Sequence, residues 1–161
     1  YDYLTFTSQS LPTVSTNLEL SGTQIELTAD FTIGLKIHPS TINGAFLSDN
    51  TTSNEYFKFS SPSKITFRLN NSTSHNLNLD GGSFGDDYII ITRVSELFTL
   101  WHNGVEQTTN NPEQAGNCLI DVIGVRKADN NGYDGNITEI VIYDTSNADL
   151  TEQINNRLSS L

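Results

Sequence analysis

The chain has 161 residues, the length of one ordinary domain, with 19 acidic and 8 basic side chains and a net charge of −11. So acidic a chain is a poor partner for phosphate backbones and anionic membranes, and we expect no nucleic-acid partner. No apolar run approaches the length that spans a bilayer, so we expect no membrane insertion.

The first half of the sequence predicts a series of short strands. Residues 3–7 indicate an edge strand, and apolar pairs at 18–20 and 25–27 flank a Ser-Gly-Thr turn signal. Apolar and polar residues alternate through Phe31–His38, the period of a half-buried strand. Pro39 is expected to end that strand because proline cannot donate a ladder hydrogen bond. Further short strands are predicted at 45–47, 56–59, 65–69 and 75–79.

A hairpin is the clearest element of the second half. Residues 88–93 and 97–101 have strand composition, and Asn103-Gly104 then suits the positive φ angles of a tight turn. Val105 begins the return strand. The last two strands are predicted at 119–125 and 137–143, joined by a Gly- and Asn-rich loop at 129–135.

The period changes at the C-terminus, where four leucine and isoleucine residues between 150 and 161 have helical spacing. Asp149, followed three residues later by Glu152, resembles a capping box and predicts the helix start. Many short strands with regular turns are typical of a sandwich. We therefore predict one all-β domain over residues 1–161, a two-sheet antiparallel jelly roll with one short C-terminal helix. Residues 1–16 would form an N-terminal arm or edge strand.

Cys118 is the only cysteine, so no intramolecular disulfide can form. It opens the apolar run Cys118-Leu119-Ile120, and no basic residue lies near it in the sequence. We expect a buried, unreactive thiol.

Several segments resemble the laminin-G-like branch of the concanavalin A-like lectin/glucanase superfamily. The segment 98–105 is similar to that family's strand ending in an aromatic residue followed by Asn-Gly or Asp-Gly. The segments 123–126 and 134–144 are similar to its closing pattern of an Ile-Gly strand, a loop ending in Asp-Gly and a final strand. The strand at 31–39 and the helix beginning at Leu150 also resemble the family, and the resemblance implies a concanavalin A-like fold.

One position departs from the family pattern. Thr138 stands where the family usually has an aspartate before the glutamate of the closing strand, which argues against a cation at that position. The resemblance implies a fold that hosts carbohydrate-binding modules, adhesion domains, glycan-cleaving enzymes and virion surface proteins.

Enzymatic cleavage of glycans is not favoured by the sequence. A glycoside hydrolase needs two carboxyl groups on either side of the bond, and the last strand offers Glu139 alone. A polysaccharide lyase needs a base and groups that neutralise a uronate, and the histidines 38, 75 and 102 form no readable constellation with the arginines. We therefore predict no catalytic residues, with a lyase or hydrolase as an alternative.

A calcium site is a second candidate. Asp129, Asn131 and Asp134 place oxygen ligands in a Gly-rich loop, which suits a hard cation. The residues around Asp80, with Asp86 and Asp87, form another acidic candidate. The alternative is that Asp, Asn and Gly simply build turns here.

A glycan site would combine an aromatic ring with amide and carboxylate groups that bind sugar hydroxyls. Trp101, His102, Asn103, Tyr133 and Asp134 are the predicted ligand-binding residues. The alternative for Trp101 is a place in the core, whereas Tyr133 in its polar loop is expected to be the exposed aromatic.

The leading functional hypothesis is a non-catalytic recognition or adhesion module that binds a glycan, on a virion or in a secreted assembly. The second is a purely structural phage protein, a capsid decoration or tail component, whose partners are neighbouring subunits. A homo-oligomer and an extracellular or virion-surface location fit both hypotheses.

Overall fold

The computed structural model describes residues 4–6, 18–19, 24–49, 55–70, 72–125 and 132–161. Within these ranges the regular elements are all strands, apart from one helix near the C-terminus. No helix among the described residues is long and apolar enough to cross a membrane.

Sheet A contains six antiparallel strands in the order β1-β14-β4-β9-β10-β11. The strands are β1 (Leu4–Phe6), β4 (Phe31–Thr41), β9 (Asp87–Val94), β10 (Leu97–His102), β11 (Val105–Gln107) and β14 (Asp134–Tyr143). The long central strands β14, β4 and β9 make up the middle of this sheet, and β1 and β11 lie at its edges.

Sheet B also has six antiparallel strands, in the order β2-β13-β5-β6-β7-β8. They are β2 (Leu18–Glu19), β5 (Gly44–Ser48), β6 (Tyr56–Ser61), β7 (Lys64–Arg68), β8 (His75–Asn78) and β13 (Val122–Ile123). A separate pair joins β3 (Ile25–Leu27) to β12 (Cys118–Ile120), with Cys118 opposite Leu27. The predicted two-sheet antiparallel sandwich with one helix is confirmed.

The main core fills the space between the two sheets. Inward residues such as Ile33 and Leu35 of sheet A and Phe57 of sheet B belong to one buried cluster. Phe67 of β7 and Phe98 of β10 stack across the interface, with ring centroids 4.2 Å apart. Cys118 lies in the same cluster, and burial raises the pKa of its thiol, which confirms the expectation of a buried cysteine.

Strand β4 runs on through Pro39 to Thr41, so the expectation that Pro39 ends the strand is wrong. The pairing of β4 with β9 stops at Ile37 opposite Asp87, whereas its pairing with β14 continues past Pro39. Pro39 therefore lies where β4 has a neighbour on one side only. A missing N–H is tolerated at such an edge position.

The predicted strand at 119–125 divides into β12 and β13, which the chain assigns to different sheets. Asp121 separates the two strands, and its N–H donates to the Ser48 carbonyl at 3.1 Å. The prediction of one continuous strand is therefore wrong, because a run of apolar residues does not reveal a crossing from one layer to another.

The hairpin of β9 and β10 and the Asn103-Gly104 turn appear as predicted. Asn103 and Gly104 have φ angles of 49° and 81°, which place both in the left-handed region. Val105 then starts β11, which pairs with β10 through His102 opposite Val105.

The helix α1 spans Ala148–Ser159. Asn147 is its N-cap, and its Oδ1 accepts a hydrogen bond from the Leu150 N–H at 2.9 Å. The prediction that Asp149 caps the helix is wrong, since Asp149 lies in the first turn. There its negative charge still faces the positive end of the helix dipole.

Candidate functional site

The outer face of sheet A, away from the main core, carries the helix. Because side chains alternate along a strand, Ile89 and Ile91 of β9 point into the main core, whereas Ile90 points outward. Ile90 forms a second buried cluster with Ile154 and Leu158 of α1. The helix is therefore held on the sheet by a small apolar contact of its own.

Gly34 of β4 is the point where the helix approaches the sheet most closely. A Cβ atom at this position would lie 2.7 Å from Ile154 Cγ2, 2.9 Å from Val141 Cγ2 and 3.1 Å from Leu158 Cδ1. No side chain fits there without movement of the helix. The absence of a side chain at Gly34 thus sets the height of α1 above the sheet.

The helix covers only part of the outer face, and a groove of about 510 Å³ remains beside it, which we call the helix groove. Its floor and one side come from the β9–β11 region of sheet A. The lining residues on this side are Thr92, Val94, Thr99, Trp101, Gly104 and Glu106.

The opposite wall is the first two turns of α1 and the residues just before it. The lining residues on this side are Ser146, Asn147, Ala148, Thr151, Glu152 and Asn155. Asn147, Thr151 and Asn155 are four residues apart in sequence and so form a polar stripe along one side of the helix. From Asn147 to Asn155 the wall is about 12 Å long at the helical rise per residue.

Trp101 is the only aromatic residue among those that line the helix groove. It lies opposite Ile90 on β9 and Glu106 on β11, and its side chain packs against the cluster beneath the helix. The side chain is half-buried, so part of the ring is supported by the protein and part faces the groove. The Trp101 side chain is therefore part of the packing beneath the helix and also part of the groove surface.

The turn after β10 closes one end of the groove against the helix. Asn155 Oδ1 accepts a hydrogen bond from the Tyr88 hydroxyl at 3.0 Å and lies 2.7 Å from where a Gly104 Cβ would stand. Burial raises the pKa of Tyr88, so its hydroxyl stays a proton donor at neutral pH. Asn155 is therefore fixed in orientation, and its Nδ2 has no partner among the described residues.

Other polar side chains of the helix groove are not engaged by the described residues. Within the described part of the chain, the side-chain oxygens of Thr99, Glu106 and Glu152 make no hydrogen bond. Both glutamates are exposed, and they lie on opposite walls. The groove thus presents an aromatic ring, hydroxyls, an amide donor and two carboxylates within a mostly apolar surface.

His102 and Asn103 lie next to Trp101 in sequence but serve another part of the molecule. His102 faces the opposite side of the sheet, where its ring meets Phe84 at 5.6 Å and its Nε2 lies 2.9 Å from Asp87 Oδ2. Asn103 donates to Asp87 Oδ1 at 2.5 Å and accepts from the Tyr88 N–H at 3.0 Å.

Asp87 is the centre of this small network. Burial acts to raise the pKa of Asp87, but hydrogen bonds from His102, Asn103 and the Gly85 N–H outweigh it, and the net effect is a lowered pKa. The carboxylate is therefore ionised and committed to fixing the hairpin turn. The structure gives His102 and Asn103 a role in positioning the strand that carries Trp101.

Tyr133 is fully buried, so the expectation that it is the exposed aromatic is wrong. Its ring lies 6.0 Å from Phe59, and its hydroxyl donates to the Asn136 carbonyl at 3.1 Å. The loop end enters the sandwich because Gly132 pairs with Ala45 of β5.

Asp134 also lies away from the helix groove. It begins β14 opposite Thr41 of β4, whereas Thr32 of β4 lies opposite Thr92 in the groove. Nine residues of strand separate Thr41 from Thr32, about 30 Å at the rise of a β-strand. The structure therefore does not bring Asp134 to Trp101.

Of the predicted metal ligands, Asp129 and Asn131 lie outside the described residues, and a calcium site with Asp134 stays a prediction. Among the described residues no three His, Cys, Asp or Glu side chains are grouped to hold a metal ion.

The acids of the second candidate cation site have separate protein partners. Asp80 accepts hydrogen bonds from the hydroxyls and N–H groups of Thr108 and Thr109, which lower its pKa to about 2. Asp86 lies 2.9 Å from His38 Nδ1 and 3.4 Å from Lys36 Nζ.

The glutamate considered for catalysis also has a structural partner. Glu139 of β14 forms an ion pair with Arg157 in the last turn of α1, so it ties the helix to the sheet. This contact lies on the other side of α1 from the helix groove, where Tyr143 and Arg157 border a smaller depression.

Sequence reasoning identified Trp101 but missed the rest of the helix groove. A usable signal was the alternation of Thr92 with Val94 and of Thr99 with Trp101, which places these residues on one face. The polar stripe on the helix was a second signal. Nothing in the local pattern indicated that the two would face each other.

No protein-family model matches the sequence, and no curated protein matches it either. Solved structures do resemble it. A heptameric SAP-like pentraxin from Limulus polyphemus aligns with a TM-score of 0.70 and 13% identity, over 94% of this chain and 78% of the pentraxin.

Two further structures show the same architecture. Domain 4 of AbnA, a GH43 extracellular arabinanase from Geobacillus stearothermophilus in complex with arabinotriose, aligns with a TM-score of 0.57 and 14% identity, covering 97% of this chain and 81% of that one. Domains LG4-5 of the mouse laminin alpha1 chain align with a TM-score of 0.57 and 10% identity, covering 80% and 39%. The chain therefore has the concanavalin A-like jelly-roll fold that the resemblance in its sequence implies.

Proposed function

We propose that this domain binds a carbohydrate chain in the helix groove and does not cleave it. The observation that carries the proposal is the partly exposed ring of Trp101 in a groove whose surface is mostly apolar and whose lining also includes hydroxyl, amide and carboxylate groups. A sugar ring has an apolar face that stacks on an aromatic side chain and a rim of hydroxyls that need hydrogen-bond partners. Both requirements are met within one groove.

The size and rigidity of the groove support the proposal. A volume of about 510 Å³ lies in the range of sites that take small molecules or short segments of a polymer. Asn155 is held by Tyr88, Trp101 by the cluster beneath the helix, and Asn147 by its capping bond. Groups that are already oriented lose little entropy on binding.

The comparisons support the same class of ligand. The arabinanase domain, which has this fold, is in complex with arabinotriose, so the fold can accommodate a short oligosaccharide. That enzyme is described as extracellular, which favours a location outside the cell for the present domain. A virion location stays a prediction.

Binding without cleavage is favoured by the setting of the two glutamates. Glu106 and Glu152 line opposite walls of the groove, and both are exposed to solvent. A catalytic acid is usually placed in an apolar setting that favours its protonated form. We therefore expect no release of reducing ends from any polysaccharide that the domain binds.

Intrinsic fluorescence tests the proposal directly, because Trp101 is the only tryptophan in the chain. A glycan that stacks on this ring will change its emission, and the change will saturate with ligand concentration. Neutral, amine-bearing and anionic oligosaccharides are each titrated into the protein, once in the presence of calcium and once in the presence of a chelator. A glycan array selects these oligosaccharides.

Substitutions then locate the site. We expect Trp101→Ala to weaken glycan binding, measured by calorimetry, at least tenfold, about 1.4 kcal/mol. Trp101→Phe should retain more affinity because it keeps an aromatic ring. Tyr143→Ala is the matched control, since Tyr143 is 42% exposed on the same sheet face but outside the helix groove.

Two results would contradict the proposal. One is a glycan that binds with unchanged affinity to Trp101→Ala while that variant melts as the wild type does. The other is silence across the array at millimolar concentration. Reducing-end release that is lost in Glu106→Gln or Glu152→Gln would instead establish a hydrolase in the same groove.

A structural role between identical subunits is the second candidate. The pentraxin with a similar fold is heptameric, and Leu97 at the start of β10 and Val105 at the start of β11 are 40% and 63% exposed. Sedimentation of the purified chain tests this candidate. A stable oligomer without affinity for glycans favours it, and a monomer that binds glycans argues against it.

A further inference from the structure

The charge of the helix groove is one-sided. Among the described residues, Glu106 on β11 and Glu152 on α1 are the only charged ones that line it. Both are exposed, and no described basic residue lines either wall. A ligand in the groove therefore lies between two negative groups.

Three basic residues of the described chain are engaged away from the helix groove. Arg157 pairs with Glu139 on the far side of the helix, and Lys36 pairs with Asp86. Arg93 points away from the groove and donates to the carbonyls of Gly116 and Thr28. None of these three groups is placed to neutralise an anion beside Trp101.

The charges of the rest of the chain add to the negative electrostatic potential of the two glutamates. A net charge of −11 gives a negative potential that repels anions at long range and attracts cations. Two carboxylates within several ångströms of a charged sugar contribute much more than distant ones, since the energy falls with distance and salt screens the remote terms.

We propose that Glu106 and Glu152 set the ligand class of the helix groove, which takes uncharged and amine-bearing glycans and rejects uronate, sialylated and sulfated ones. The inference rests on the proposed carbohydrate binding in this groove. A protonated amino sugar gains from both walls, and a neutral sugar uses the carboxylates as hydrogen-bond acceptors. An anionic sugar finds no cation on either wall.

The test measures the order of affinities among three charge classes on one backbone. Wild-type protein is titrated with β-1,4-linked tetramers of glucose, glucosamine and glucuronate, and with the tightest binder of each class from the array, in about 20 mM salt. We expect the amine-bearing ligand to bind best and the anionic one at least tenfold more weakly than the neutral one. At about 0.5 M salt these ratios should shrink, because screening acts on charge and not on shape.

The double variant Glu106→Gln/Glu152→Gln assigns the effect to the groove. Glutamine keeps the size and an acceptor oxygen of each side chain but removes its charge, so the readout is the ratio between the affinities for neutral and anionic glycans and not the affinity for either ligand alone. The ratio between neutral and anionic ligands should fall by roughly threefold to tenfold. The control Glu96→Gln/Glu113→Gln removes the same charge from two exposed glutamates outside the groove and should leave the ratio close to that of the wild type.

The outcomes separate the two proposals. Anionic glycans that bind as tightly as neutral ones, with Trp101→Ala still abolishing binding, overturn the charge selection but leave carbohydrate binding intact. If the groove variant and the control variant lower the ratio of neutral to anionic affinity equally, the selection comes from the net charge of the protein. That result overturns the role proposed for Glu106 and Glu152. No binding in any charge class overturns the proposed function, and the present inference with it.

Discussion

Replacing Gly34 with alanine tests how the helix is held and, through it, how the groove is built. The new Cβ would lie 2.7 Å from Ile154 Cγ2 and 2.9 Å from Val141 Cγ2. Carbon atoms in contact prefer about 3.5–4.0 Å, so these side chains, or the helix that carries Ile154, must move by roughly 1 Å. Overpacking of this kind costs about 1–3 kcal/mol.

The sign of the change in the free energy of unfolding shows whether the helix is docked on the sheet at Gly34. In a strand free of such contacts, glycine is less favourable than alanine by about 0.5–1 kcal/mol, so Gly34→Ala would then stabilise the protein. With the helix docked, we expect the free energy of unfolding to fall by about 1–3 kcal/mol. For a domain of this size that corresponds to a decrease in Tm of roughly 2–12 °C.

Urea unfolding followed by circular dichroism gives the free energy, with Gly81→Ala as the control. Gly81 is exposed, and a Cβ there meets no atom within 4 Å, so its substitution should change stability by less than about 0.5 kcal/mol. Ile154→Leu removes the Cγ2 methyl at nearly constant volume, so the double variant Gly34→Ala/Ile154→Leu should lose less stability than the two single changes added together. A Gly34→Ala protein as stable as the wild type, with no such coupling, refutes the docking of α1 on β4.

Three further expectations concern groups outside the groove. Tyr133→Phe removes the hydrogen bond to the Asn136 carbonyl and should cost about 1 kcal/mol in urea unfolding without changing glycan affinity; a loss of affinity alone would contradict its place in the core. The pKa of Asp80, lowered from 3.8 to about 2 chiefly by its hydrogen bond from Thr109, means that the ionised group stabilises the fold above about pH 4 and loses that effect as pH falls through 2. Asp80→Asn should therefore be less stable than the wild type at pH 7, and the difference should shrink as pH falls below about 4 and through 2; a difference independent of pH would contradict this. Burial raises the pKa of the Cys118 thiol, so an aromatic disulfide reagent should react with it only as fast as the protein unfolds, and rapid labelling of the native protein would show an open site.

Local pattern was sufficient for most strands and for the hairpin. The alternation through Phe31–Ile37 predicts which side chains face the core, and the Asn103-Gly104 pair predicts the turn that follows β10. These features depend on residues close in sequence, and short-range conformational preference determines them. The positive φ angles of Ser95 and Glu96, which turn β9 into β10, had no comparable signal because neither residue is glycine or asparagine.

The errors share a physical cause, which is contact between distant segments. Tyr133 sits among polar and glycine residues, a setting typical of an exposed loop, yet the pairing of Gly132 with Ala45 draws it inside. Pro39 is compatible with strand only because β9 no longer pairs there. Neither the pairing of Gly132 with Ala45 nor the end of the β9 pairing before Pro39 can be identified from the residues adjacent in sequence.

The start of the helix links these errors to the candidate site. Both Asn147 and Asp149 can cap a helix, and the glutamate at 152 favoured the second by a familiar pattern. The structure begins α1 two residues earlier, with the Asn147 side chain bound to the Leu150 N–H and the Thr151 hydroxyl bound to the Asn147 carbonyl. This start places Asn147 and Ala148 in the groove wall opposite Val94 and Thr92.

Alternation along β10 fixes the face on which Trp101 appears, since His102 is committed to Asp87 on the other side. Alternation along the strands does not predict how much of that outer face the helix α1 covers. The answer depends on Gly34, which admits the helix to the sheet, and on Asn147, which sets where the helix begins. Because neither residue provides the aromatic ring or the carboxylates, we expect substitutions of Glu106 and Glu152 to change the ligand specificity that we propose for the groove while the docking of the helix that forms its wall stays the same.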